Sequence, residues 1–82
     1  MALLVDPPRW PAHGTRFSHL VSDTSLNELH AFAEAAGLPF RAFDHDHYDV
    51  PERRHADLVA LGATPVPEKE LLRRLRAAGL RV

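Results

Sequence analysis

The chain has 82 residues, 45% hydrophobic and 26% charged, which is too apolar for disorder and expected to make one small domain over residues 1–82. It contains no cysteine, so disulfide staples, cysteine-ligated zinc and thiol nucleophiles are excluded. The net charge of -1 is unevenly spread: residues 1–50 hold three arginines against seven acids, while residues 67–82 hold Lys69 and four arginines against two glutamates.

The opening "MALLV" is far too short for a signal peptide or a membrane span, so a soluble, cytoplasmic protein is expected. Residues 2–5, "ALLV", read as a first strand. The next stretch, "DPPRWPAHGTR" at 6–16, has three prolines and a glycine and reads as a long irregular loop. Loops of that length in a small domain are often functional, and Trp10 within it is either a lid on the sheet or an exposed contact residue. "FSHLVS" at 17–22 reads as a second strand. A helix follows: Ser25 is the expected N-cap, Glu28 completes a capping box, and Leu26, Leu29, Ala33 and Ala36 fall at helical spacing. Gly37, Gly62 and Gly79 each stand where a helix should end in a left-handed turn. "PFRAF" at 39–43 reads as the third strand, and a second helix is expected from about Val50-Pro51 to Leu61. "ATPV" at 63–66 is a fourth strand that Pro65 demotes to an edge. A last helix starts near Pro67, with Leu71, Leu72, Leu75 and Ala78 as its apolar stripe. Strands alternating with helices predict a small α/β fold: a mostly parallel sheet of about four strands with three helices.

In such a sheet ligands bind outside the carboxyl ends of the strands. There the expected topology gathers Asp6, Asp23 and the run "DHDHYD" at 44–49, although an acid just before Ser25 also has a capping role open to it. If the run is extended, His45, His47 and Asp49 share one face and Asp44, Asp46 and Tyr48 the other. Two imidazoles and a carboxylate suit zinc, manganese or iron. His19, inside an apolar strand, and His30, beside the helix stripe, each read singly as core histidines; with His47, Asp6 and Asp49 they read as a nitrogen/oxygen metal site. No HExxH, GxSxG or P-loop pattern occurs.

The stretches "LLVDPPRWP", "SHLVSDTSLNELHAFAEAAG" and "DHYDVPERRHADLVALGA" resemble a family of small bacterial and phage proteins, the domain-of-unknown-function family 4031. The resemblance covers most of residues 2–63 and rests chiefly on His47-Tyr48-Asp49. It matches at Asp6, Arg9, His19, Asp23, His30, His47, Tyr48 and Asp49. His45 and Asp44 depart from it, which favours a site assembled from separate segments over the His45/His47/Asp49 face. It implies no activity.

These residues together predict a metal-dependent hydrolase acting on a phosphoester, in a nucleotide or nucleic acid. Asp6, His19, His47 and Asp49 are the expected ligands of a divalent zinc, manganese or magnesium ion. His30 is a fifth ligand or an orienter, Arg9 takes substrate oxygens, and Tyr48 hydrogen-bonds the substrate or bound water. The alternative is a non-catalytic ligand- or partner-binding module whose histidines and acids bond one another. A weaker option is a nucleic-acid accessory protein working through the basic tail helix. No membrane partner is expected, and a homo-oligomer stays open.

Overall fold

Strand β3 (Thr15–Ser22) is the longest in the sheet and the one on which it is built. In a computed structural model that describes residues 2–81, β3 is flanked by β1 (Leu3–Val5) on one side and β5 (His47–Pro51) on the other. Outside these run β6 (Thr64–Pro65), next to β1, and β4 (Phe43–Asp44), next to β5. A short β2 (Trp10–Ala12) also pairs with β3. Three helices complete the fold: α1 (Leu26–Ala35), α2 (Glu52–Ala60) and α3 (Glu68–Ala77).

The sheet is therefore mixed and six-stranded, not the mostly parallel four-stranded one that the alternation of elements predicts. Only β1 and β6 pair in parallel; β1–β3, β2–β3, β3–β5 and β4–β5 are antiparallel. The physical reason lies in the connections. A parallel pair needs a long crossover, whereas antiparallel strands are joined by tight turns. Two such turns sit in stretches whose sequence hides them. The proline-rich segment expected to be irregular is a hairpin: Trp10 faces Phe17 and Ala12 faces Thr15. His13 and Gly14 turn between them with φ of 48° and 75°, the two positive values of a two-residue hairpin turn. Pro11 is accommodated because β2 is an edge. The second turn is His45-Asp46, with His45 at φ 58° and Asp44 paired to His47. The segment expected as the third strand is a 3-10 turn, Phe40–Ala42, followed by the stub β4, and the principal strand is β5.

The period of two in β3 and β5 gives the sheet two faces. Leu20, Tyr48 and Val50 point to one, where they pack with Val5, Leu29, Ala33 and Leu58 beneath α1 and α2. Val21 and Leu4 point to the other, against Leu71 and Leu75 of α3. One amphipathic helix covers that second face where two cover the first, and the part of it that α3 leaves uncovered carries His19, His47 and Asp49.

Helix ends follow their expected chemistry. Ser25 Oγ accepts the Glu28 N–H at 3.1 Å, but the Glu28 carboxylate takes the Ser22 hydroxyl (2.6 Å) instead of closing a reciprocal box on Ser25. Ser22 Oγ in turn receives the Ser25 N–H at 3.1 Å. All three helices finish alike: Gly37, Gly62 and Gly79 have φ of 79°, 118° and 76°. The residue after each, Leu38, Ala63 or Leu80, donates back to Ala33, Leu58 or Leu75 at 2.9, 2.9 and 3.2 Å, which is the double-bonded Schellman closure. Among the described residues no helix is long and apolar enough to cross a membrane.

Candidate metal centre

The register of β3 and β5 places His19 directly across from Asp49. His47, two residues before Asp49, shares its face of the sheet. On the other side of β3, the Asp6 N–H extends the β1 ladder with a bond to His19 O at 3.2 Å. Three adjacent strands thus present Asp6, His19, His47 and Asp49 on the α3 face. They meet on a sheet face, and not beyond the carboxyl ends of parallel strands as the predicted topology required.

Asp6 is 2% exposed and both of its oxygens are engaged by one residue. Oδ1 accepts the His19 backbone N–H at 2.6 Å, and Oδ2 lies 2.8 Å from His19 Nδ1. His47 is held in the same manner: its Nδ1 lies 2.7 Å from Asp46 Oδ1. Asp46, 7% exposed, is itself clamped by Arg81, whose Nε and Nη2 donate to Oδ2 and Oδ1 at 2.7 and 2.9 Å. Each imidazole is therefore fixed at Nδ1 by a buried carboxylate, so that Nε2 is the nitrogen with which either ring could hold a metal. The two rings stand edge to face, 5.1 Å between centroids. His47 Nε2 is 3.2 Å from Asp49 Oδ1, a buried oxygen that has no hydrogen-bond partner among the described residues. One ligand atom each from His19, His47 and Asp49 lie within 4.8 Å of one another. Small side-chain rotations bring such a set around an ion with bonds of about 2.0–2.2 Å. Asp6, His19 and Glu68 form a second group of the same dimension.

The hydrogen bond to Asp6 raises the His19 pKa above its ordinary value; burial opposes it, and the charges of Asp6, Asp49 and Glu68 add to it. For Asp46, burial works towards a higher value, but the Arg81 and His47 hydrogen bonds and charges outweigh it and hold the carboxyl below the usual range. Over His19 and His47 lies a small cavity of about 190 Å³ bordered by Trp10, Glu68, Leu72 and Arg81. Trp10 is 41% exposed, its ring 5.4 Å from that of His19 and nearly perpendicular to it, so it both lids the sheet and faces solvent.

Residues 3–78 match the family described as protein of unknown function (DUF4031). The chain belongs to the DUF4031 family. The match runs beyond the stretches that carry the resemblance and takes in α3. No curated protein and no solved structure matches the chain.

In this DUF4031 chain the remaining predicted residues lie elsewhere. Tyr48 falls between His47 and Asp49 on β5 and so points through the sheet to the opposite face, 2% exposed. Its hydroxyl meets His30 Nδ1 at 2.8 Å, and both rings pack against Phe43. Burial, and then the charge of Glu34, raise the Tyr48 pKa. The sheet separates His30 and Tyr48 from His19, so neither reaches the ligand set. Asp23 is also remote: β3 runs antiparallel to β1, which carries Asp23 to the far end of the sheet. There it accepts the Ala2 N–H at 2.8 Å and pairs with Arg74. His45, in the exposed turn, meets only its neighbour Asp44. Arg9 is exposed on a groove of about 600 Å³ with Pro7, His55, Glu68 and Lys69. Three residues of the site were not foreseen. Asp46 and Arg81 support His47, and Glu68 borders both the cavity and the Arg9 groove. The adjacency of Asp46 to His47 was a usable signal in the sequence, whereas nothing there joins Arg81 to Asp46 across 35 positions.

Proposed function

We propose that this chain is a metal-dependent hydrolase of phosphoesters, with one divalent ion held by His19, His47 and Asp49. The observation that carries the reading is the pairing of two buried carboxylates with the Nδ1 atoms of two adjacent histidines, beside a buried Asp49 oxygen that makes no hydrogen bond and lies 3.2 Å from His47 Nε2. Both rings are oriented from behind through Nδ1, and His19, His47 and Asp49 each offer a ligand atom within 4.8 Å of the others. Three protein ligands leave a position open for water, whose pKa a bound ion lowers. Two imidazoles with one carboxylate favour zinc, manganese or iron over magnesium. Asp6, both of its oxygens engaged, orients His19. Proton acceptance falls to Glu68 at the border of the cavity, and Arg9, across the groove that Glu68 also borders, takes substrate oxygens; His30, bonded to Tyr48 beyond the sheet, drops out as a ligand or orienter.

The test is the metal content of untagged protein, followed by hydrolysis of bis(p-nitrophenyl) phosphate with and without a chelator. His47→Ala is expected to abolish metal uptake and activity while the melting temperature stays near that of the parent. His45→Gly, at an exposed turn position with φ 58° that glycine adopts without strain, is expected to keep both. A parent protein that takes up no metal after soaking overturns the hydrolase and returns the cluster to a non-catalytic binding module.

A further inference from the structure

Beside the proposed centre a second cleft, about 350 Å³, is lined by Trp10, His13, Phe17, Arg41 and Asp49. Asp49 belongs to the proposed ligand set as well, and Trp10 also borders the cavity above His19 and His47, so the cleft adjoins the centre. Three of its lining residues, Trp10, His13 and Phe17, are aromatic. Trp10 and Phe17 are partners across the β2–β3 ladder and share a face of the sheet. Each ring is pinned by a histidine edge: His19 against Trp10 at 5.4 Å and His13 against Phe17 at 6.3 Å. The indole is fixed in orientation and yet 41% exposed, an arrangement that apolar packing does not require. Arg41 is exposed and supplies a positive charge. The arginines engaged in ion pairs are Arg54, Arg73, Arg74 and Arg81, and Arg41 is not among them.

We infer that this cleft seats an unpaired nucleobase against Trp10 and Phe17, with its phosphate held between Arg41 and the Asp49 side of the metal centre. The inference rests on the hydrolase reading for its orientation and deepens it by naming the substrate class as a nucleotidyl group. Fixed aromatic rings beside a cation are the general means of holding single bases, because every base has a face to stack and every linkage a negative charge. The volume lies at the small end of ligand clefts, enough for one ring system. A base stacked inside a duplex cannot enter without being turned out.

Trp10 is the only tryptophan, so a single indole N–H resonance reports on the cleft, and its position with metal alone is the baseline for each titration. The resonance is followed while chelator-treated and zinc-supplemented protein is titrated with adenosine 5′-monophosphate, ribose 5-phosphate, a short oligothymidylate and the same strand in a duplex. The mononucleotide and the single strand are expected to shift it saturably; ribose 5-phosphate and the duplex are not. Whichever of the two ligands binds more tightly assigns the cleft to free nucleotides or to nucleic acid. Phe17→Ala should weaken binding by about tenfold or more, the usual loss for one stacking ring. Because Phe17 is half-buried, Arg41→Glu at an exposed position is the second variant, expected to weaken binding with no change in melting temperature. Ribose 5-phosphate binding as well as the nucleotide, or nucleotide binding indifferent to both variants, overturns the inference. Protein that takes up no metal but still binds the base at Trp10 sinks the hydrolase and keeps the cleft; protein that takes up metal but no base does the reverse.

Discussion

Two Asp–His pairs stand side by side in Asp44-His45-Asp46-His47, chemically the same and 2.7 Å in each case. The first pair is solvated, with side-chain exposures of 89% and 61%, and an exposed pair of that kind contributes little. The second has exposures of 13% and 9%, is backed by Arg81, and aims a ring at the centre. Asp46→Asn is therefore expected to lower metal affinity about 10–100-fold, the usual effect of removing an outer partner of a ligating histidine. Asp44→Asn should leave it unchanged. Competition with a chromogenic chelator measures both, and equal losses in the two variants would show that Asp46 has no special hold on His47.

Among the elements, the helix ends are the most regular feature, and each depends on a single glycine. Added Cβ atoms at Gly37, Gly62 and Gly79 would meet no atom within 4 Å, so substitution there costs backbone strain and not a clash. Gly37→Ala, at φ 79°, is expected to destabilise the protein by about 1 kcal/mol, read from denaturant midpoints at constant m-value. A neutral result would mean that the α1 terminus relaxes out of its Schellman closure. The hairpin elements are less regular: both turns carry a histidine with positive φ, His13 and His45, where asparagine or glycine is the usual residue. For that reason neither announces itself as a turn in the sequence.

Across the whole molecule, α3 is tied to the far end of β3 by the Asp23–Arg74 ion pair, which spans 51 positions. Burial of Asp23 acts to raise its pKa, but hydrogen bonds from the Ala2 N–H and Arg74 prevail and hold it below its ordinary value. A depressed carboxyl contributes stability that is present above its unfolded pKa of about 3.9 and is lost as the pH falls through its lower folded value. Asp23→Asn should flatten the acid side of the stability profile, measured by chemical denaturation across that range, and leave the neutral side parallel to the parent's. An unchanged acid limb would show that the pair is solvated in solution. The tail arginines consequently differ in role. Arg73 and Arg76 are exposed, and their joint replacement by glutamine should move the melting temperature little. Arg74→Gln should destabilise, more at neutral than at acid pH, because Arg74 is half-buried in its pair with Asp23.

Local chemistry was enough to read the three helices, the Ser25 cap and the glycine stops, the first two strands and the edge character of the Pro65 segment, because each depends on neighbours within a few positions. The alternation that sends Tyr48 away from His47 and Asp49 was also readable, since period two admits no other arrangement once the segment is a strand. Strand direction was not readable. It was decided by two hairpins whose turns, His13-Gly14 and His45-Asp46, each begin with a histidine at positive φ, and by the long-range pairing of β1 with β3, which no local propensity encodes. Tertiary structure alone therefore moved Asp23 to the opposite end of the sheet, placed Asp6 behind His19, and brought Arg81 from the last turn of the chain onto Asp46. A sheet is held by contacts between distant residues, and their register is settled only when both faces are packed.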